Sequence, residues 1–363
     1  MPASAALTHT GMGSRTLVLA LFALMEPAAA LSSNAPWPKK VISWWYASGS
    51  QESFQGLIEQ INQPARLPLV TSIQTYCGHD VSDAGKIIMN PHQGNISACS
   101  EFFPKLVKLG VRPELATGAG NCSIVTYRKL WADTTESPQV LLKAALAVNA
   151  SGWNIDLEPQ GGPNTGKPGW GCQGGSLPVG NASDAKLFAK WLTAVRAVLS
   201  PHGIRLTADV ASWSPVLRQY ATLAPAVDRL QTMSTYNGNG FLAWDVGFRE
   251  FIRTTPRSAA GIGLGVWNDS KHQWWESATG AKAKVEAAIA SGTEELACFR
   301  LVPAAAGADT QRYWWKATLG PMAGASAVQT DTPANFWWDA LESFMKPETT
   351  DLSDNFPRRP IKE

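Results

Sequence analysis

Residues 150 to 160 read ASGWNIDLEPQ. Trp153, Ile155 and Leu157 alternate with Asn154, Asp156 and Glu158, the period-two pattern of a β-strand whose two faces meet different surroundings. On a half-exposed sheet the polar row would simply face water. In the middle of a long chain, a row of Asn, Asp and Glu that ends at a Pro/Gly-rich loop can instead line a site. The surrounding sequence decides between the two.

The same theme recurs along the chain: a short β-branched run, a loop, an amphipathic helix, then the next run. The strand candidates are KVISWWYA, PLVTSIQTY, VRPELATG, SGWNIDLE, GIRLTADVAS, RLQTMSTYN, AGIGLGVW and ELACFRLV. Helical patterns lie between and after them, among them QESFQGLIEQIN, SEFFPKLVKLG, SPQVLLKAALAV, SDAKLFAKWLTAVRAVLS, SPVLRQYATLA, FREFIRTT, GAKAKVEAAIASG and TPANFWWDALESFM. Eight strands alternating with eight helices predict an α/β protein, a single-domain (β/α)8 TIM barrel closed by right-handed crossovers. An open, doubly wound sheet is the alternative, because alternation by itself does not require closure. The glycines of AGIGLGVW fall inside an apolar strand, not at a strand-to-helix turn, so they are not a dinucleotide fingerprint.

In such a barrel, chemistry is done at the C-terminal ends of the strands. Glu158 ends the fourth strand, and Asp156 points the same way one layer deeper. Two neighbouring carboxyls share protons, which leaves one of them an acid at neutral pH, as protonation of a glycosidic oxygen requires. Asp209 on the fifth strand is a further carboxylate that could act as a nucleophile about 5 Å away in a conventional retaining glycosidase.

Here the sequence resembles the family-18 glycoside hydrolases, the chitinases and their relatives. Their fourth-strand motif D-G-x-D-x-D-x-E is echoed by SGWNIDLE: Gly152, Asp156 and Glu158 match, while Ser151 and Asn154 replace two Asp residues. Thr117 to Gly120 (TGAG) resembles the family's third-strand S-x-G-G, and Tyr236-Asn237 its sixth-strand Tyr-Asp or Tyr-Asn. The Asn at 154 is nearest to di-N-acetylchitobiase-type members. The resemblance implies a retaining, substrate-assisted mechanism on β-linked N-acetylglucosamine oligosaccharides. Glu158 would be the general acid and base. Asp156 would orient the 2-acetamido group, and Tyr236 would hydrogen-bond its carbonyl oxygen. Asn154, Asn237, Trp213, Trp267, Phe299 and Trp44 are the candidate substrate-binding residues, with Phe299 standing where the family places a floor Trp and Trp314 or Trp315 as possible substitutes. Because Asn154 takes no proton, a relay from Asp156 to a deeper Asp is expected to be absent. A non-catalytic, lectin-like sugar-binding protein on the same barrel is the alternative function. No cofactor and no metal is implied.

The stretch between the seventh and eighth strands is short, so the α+β insertion domain of many chitinases is expected to be missing and the site to be shallow. The loop from Pro159 to Ser183 is expected to wall one side. Of 16 Trp residues, most are expected in the core. The histidines show no triad or metal spacing and are expected at the surface.

Arg15, the apolar TLVLALFALM and the small residues of EPAAALSS predict a secretory signal peptide over residues 1–30, cleaved after Ala30. Residues 31–345 would form the barrel and 346–363 a polar tail. A lumenal, lysosomal or secreted destination agrees with five Asn-x-Ser sequons, at Asn95, Asn121, Asn149, Asn181 and Asn268. It also agrees with disulfides among Cys77, Cys99, Cys122 and Cys172, in three possible connectivities, and a buried odd thiol at Cys298. The net charge of +2 over 363 residues, 17% of them charged, singles out neither nucleic acid nor an anionic membrane as partner, and no membrane contact is expected after signal cleavage.

Overall fold

The computed structural model describes residues 36–46, 51–90, 96–117, 123–159, 180–235, 241–266, 277–301 and 335–346. The expected signal peptide, the expected tail beyond Lys346, Tyr236, Asn237, Trp267, Trp314, Trp315, Cys122, Cys172 and nearly all of the 159–183 loop lie outside the described residues.

Eight strands form the barrel: β1 (Val41–Tyr46), β2 (Ser72–Tyr76), β3 (Arg112–Ala116), β4 (Gly152–Ile155), β5 (Arg205–Val210), β6 (Arg229–Thr232), β7 (Ala260–Gly265) and β8 (Glu295–Leu301). Every neighbouring pair is parallel, and β8 returns to β1, so the sheet is closed. The open-sheet alternative is thereby ruled out. The helices are α1 (Gln51–Ile61), α2 (Ile96–Lys108), α3 (Ile124–Ala132), α4 (Glu136–Ala147), α5 (Ala182–Leu199), the single turn α6 (Tyr220–Leu223), α7 (Phe241–Thr254), α8 (Ala278–Ala290) and α9 (Asn335–Met345).

Three local readings need correction. SPVLRQYATLA yields only the one turn of α6 before a 3-10 turn over Ala224–Ala226. The helix α3, in the stretch after Cys122, was not anticipated. An antiparallel ribbon, His79–Val81 against Ile87–Met89, follows β2. α5 starts as its sequence dictates: the Asn181 side chain accepts from the amides of Ser183 and Asp184, and the Asp184 side chain accepts from the Asn181 amide in return, a reciprocal cap that satisfies otherwise orphaned donors.

Period-two patterning divides the barrel into two cores. Ile42, Trp44, Tyr46, Ile73, Leu115, Trp153, Ile155, Leu206, Ala208, Leu230, Ile262, Leu264, Leu296 and Cys298 point outward into one continuous apolar layer beneath the helices. The inward row is polar and buried: Ser43, Ser72, Gln74, Glu114, Asn154, Thr207, Asp209, Gln231 and Glu295. Barrel interiors are ordinarily filled by branched apolar side chains; here hydrogen bonds do that work. Ser72 donates to Ser43 (3.0 Å), Ser43 to Glu295 (3.1 Å) and Gln231 to Glu295 (2.7 Å). Arg205 forms a buried ion pair with the same carboxylate. Such a network contributes stability only while every member stays paired. Below it, Trp37 stacks against Arg112 and Arg205, at 4.7 and 4.4 Å from ring to guanidinium, and closes the N-terminal mouth.

Gly152 leaves room for the Glu114 side chain. A Cβ there would lie 2.8 Å from Glu114 Oε2. Cys77 and Cys99 form a disulfide that ties the end of β2 to α2, one of the pairings left open by the sequence, and Cys298 is a buried free thiol. No described helix is long and apolar enough to cross a membrane.

Candidate active site

The ladder of β4 ends at Ile155, and the chain continues extended through Asp156, Leu157 and Glu158, all buried. Thr117, just past β3, takes over the pairing: its amide donates to Asn154 O (3.0 Å) and its hydroxyl accepts from the Asp156 amide (3.0 Å). Farther along, Ser214 Oγ donates to Pro159 O at 3.1 Å. Asp156 and Glu158 are therefore held from both sides at the C-terminal mouth of the barrel.

Asp156 Oδ2 accepts from the Tyr76 hydroxyl at 2.7 Å. Burial pushes the Asp156 carboxyl up to about 6, opposed by that Tyr76 hydrogen bond. Its Oδ1 has no hydrogen-bond partner among the described residues. Burial also raises Asp209, and the Asp156 charge adds to the rise, against hydrogen bonds from Asn154 and Trp45. The Tyr127 hydroxyl of α3 is pushed up by burial and then by the nearby charges of Glu158, Asp156 and Asp80. The mouth of the barrel is thus a cluster of three carboxyls and two buried phenols.

Asn154 is fully buried one layer below. Its Nδ2 has three acceptors in reach, Thr207 Oγ1 (3.1 Å), Asp209 Oδ1 (2.9 Å) and Gln231 Oε1 (3.1 Å), one more than its two protons can serve at once. It faces Asp209 and not an open subsite, so its place is beneath the substrate position. A buried carboxyl group, Asp209, does lie beside Asp156, supplied by β5 and not by residue 154.

Trp44 is also corrected. It faces the helix layer, fully buried, donates its indole N–H to Leu69 O (2.9 Å) and stacks on Trp338 at 4.7 Å. The inward aromatic of β1 is Trp45, which packs with Tyr76, Ala116 and Phe299. One residue of register separates the two, and parity with Ser43 is the signal that identifies Trp45. Trp213, after β5, is 46% exposed, so its ring is free to stack on a ligand. Phe299 is half-buried against Trp45. Tyr76 was missed by sequence reasoning, although its parity with Ser72 and Gln74 points it inward. His79 is buried, not at the surface: its ring meets Trp153 edge-on at 5.1 Å, and burial lowers it to about 4. Among the described residues no group of three or more His, Cys, Asp or Glu is placed to hold a metal ion.

No protein-family model matches the sequence, and no curated protein matches it. Solved structures do. A chitinase from Chromobacterium violaceum superposes with a TM-score of 0.55 at 12% identity, over 85% of this chain and 99% of that one. An Ostrinia furnacalis Group IV chitinase in complex with allosamidin gives 0.53 at 12%, over 84% and 98%. The Bacillus cereus spore cortex-lytic enzyme SleL gives 0.56 at 12%, over 84% and 74%. The chain accordingly has the (β/α)8 fold on which these chitinases are built, along nearly the whole length of the two chitinases.

Proposed function

We propose that this protein is a chitinase-like glycoside hydrolase that cleaves β-linked N-acetylglucosamine oligosaccharides with retention, by substrate assistance. The observation that carries the reading is the pair Asp156 and Glu158, adjacent inward positions at the catalytic end of the barrel, with Asp156 buried and gripped by Tyr76. Glu158 protonates the glycosidic oxygen and later deprotonates water. Asp156, ionised above about pH 6, accepts the acetamido N–H and stabilises the cation that forms as the acetamido oxygen attacks the anomeric carbon. The chitinase fold neighbours and the fourth-strand motif support the same substrate class. The sequence reading assigns Tyr236, Asn237 and Trp267 to the same substrate.

The leader-like N-terminus, the sequons and the Cys77–Cys99 disulfide support entry into an oxidising compartment, secreted or lysosomal, as a glycoprotein. The test of mechanism is the anomeric configuration of the first product, followed by NMR, with a matched substrate lacking the N-acetyl group. Retention with turnover only of the N-acetylated substrate is expected. Turnover of both would assign the reaction to a protein nucleophile such as Asp209.

A further inference from the structure

The β4–β5 register pairs Asn154 with Thr207 and Ile155 with Ala208. Continued by one residue, it sets Asp156 beside Asp209. Laterally paired residues of parallel strands are about 5 Å apart at the backbone and point to the same side, so both carboxyls enter the lumen together. Asp209 is 2% exposed. The groups around it are Asp156 and Glu158 from β4 and its extension, Tyr76 from β2, Trp45 from β1, Gln231 from β6, and Asn154, which donates to Oδ1 at 2.9 Å. The charges that act on it are negative, Asp156 and then Glu158. The guanidinium of Arg205 lies at the floor, paired with Glu295.

We propose that Asp209 is a positioning residue for Asp156: it keeps a buried proton beside it, so that Asp156 works as an anion with no second charge against it. Two carboxyls this close and this dry cannot both ionise at neutral pH. Both accept hydrogen bonds that favour an anion, Asp156 from the Tyr76 phenol and Asp209 from Asn154 and Trp45, but Asp156 sits at the mouth, where the charge is less costly. Asp209 lies between Asn154 and Trp45, closed from solvent. Asn154 fixes which Asp209 oxygen accepts, which an ionisable residue at 154 would not do without adding a third charge. The pair carries one proton and one negative charge. The proposal deepens the glycosidase reading and rests on it only for the role of Asp156.

The test needs no turnover. Protein labelled with carbon-13 at aspartate carboxyls is followed by infrared spectroscopy at pH 7, beside Asp209→Asn. One protonated aspartic acid is expected in the wild type, absent from the variant; no protonated aspartate in the wild type, or one that persists in the variant, overturns the proposal. Melting temperature gives a second readout. An acid whose folded pKa is raised is protonated in the fold and ionised in the unfolded chain, so its stabilising effect is lost as pH rises from about 4 through the folded value. Asp209→Asn should therefore gain on the wild type as pH rises from about 4 towards neutrality, and a gap that is flat above pH 5 contradicts the proposal. If the variant does not fold, a labelled wild type without a protonated aspartate still overturns the proposal. Wild type that shows the proton yet cleaves no N-acetylglucosaminide sinks the glycosidase reading and leaves the proton pair standing.

Discussion

Replacing Tyr76 with Phe removes one hydroxyl and almost no volume, and that hydroxyl donates to Asp156 Oδ2 at 2.7 Å inside a buried pocket. A hydrogen bond to a charged group contributes about 1.5–3 kcal/mol, and each pKa unit corresponds to about 1.4 kcal/mol. The bond favours the Asp156 anion, so its loss should raise that carboxyl from about 6 by roughly one to two units. At pH 6 the ionised fraction would fall from about half to a tenth or less. If the Asp156 anion is the reacting form, the acid limb of kcat/KM on a fluorogenic chitobioside moves to higher pH by that same amount, while the rate well above the limb changes less. The sign for stability is the same. Between about pH 4 and 6 Asp156 is protonated in the fold and ionised when unfolded, so stability declines as pH rises to the folded pKa, and in Tyr76→Phe that decline extends about one to two units further. An acid limb that does not move, in a variant that melts like the wild type at every pH, would refute the reasoning.

Other outcomes follow from named contacts. His79 is neutral in the fold down to about pH 4 but charges near 6.5 when unfolded, so stability is lost as pH falls from 6.5 to 4, by up to about 3 kcal/mol; His79→Phe should flatten that part of the melting curve, and an unchanged acid slope would contradict this. Gly152→Ala drives a methyl into the Glu114 carboxylate, 2.8 Å from its Oε2, and should cost about 1–3 kcal/mol in urea unfolding; a neutral result would mean the lumen can yield. Trp213→Ala should raise KM for chitotriose about two- to tenfold, the size of an aromatic contact, with the melting temperature unchanged because the ring is half exposed; an equal loss in kcat would place Trp213 elsewhere in the cycle.

The barrel was legible because its outer face repeats one signal. Most strands carry apolar residues at alternate positions, with Thr75 and Thr232 as polar exceptions, and eight such runs separated by helices admit few folds. Closure itself is a property of β8 meeting β1, which no local pattern encodes. Asp156 and Glu158 were readable from one strand because period two fixes their face. Tyr76 and Asp209 lie 80 residues before and 53 after Asp156, and their place beside it depends on the register between strands, which hydrophobic patterning specifies only to parity. Trp44 shows the cost of a parity slip: with two adjacent Trp residues, the choice of inward ring turns on Ser43, not on the aromatics. His79 was misplaced because the ribbon that carries it bends back over Trp153, a tertiary contact with no periodic signature.

On the proposed function, Glu158 is the acid of a glycosidase. The measurement that tests it most directly is hydrolysis of fluorogenic chitobiose and chitotriose substrates by the purified protein from acid to neutral pH, beside Glu158→Gln. The account predicts cleavage by the wild type and loss of at least about a hundredfold in kcat/KM, the usual contribution of a positioned general acid, in a variant that still binds the sugar. Binding without cleavage by either protein would contradict it and make the barrel a lectin.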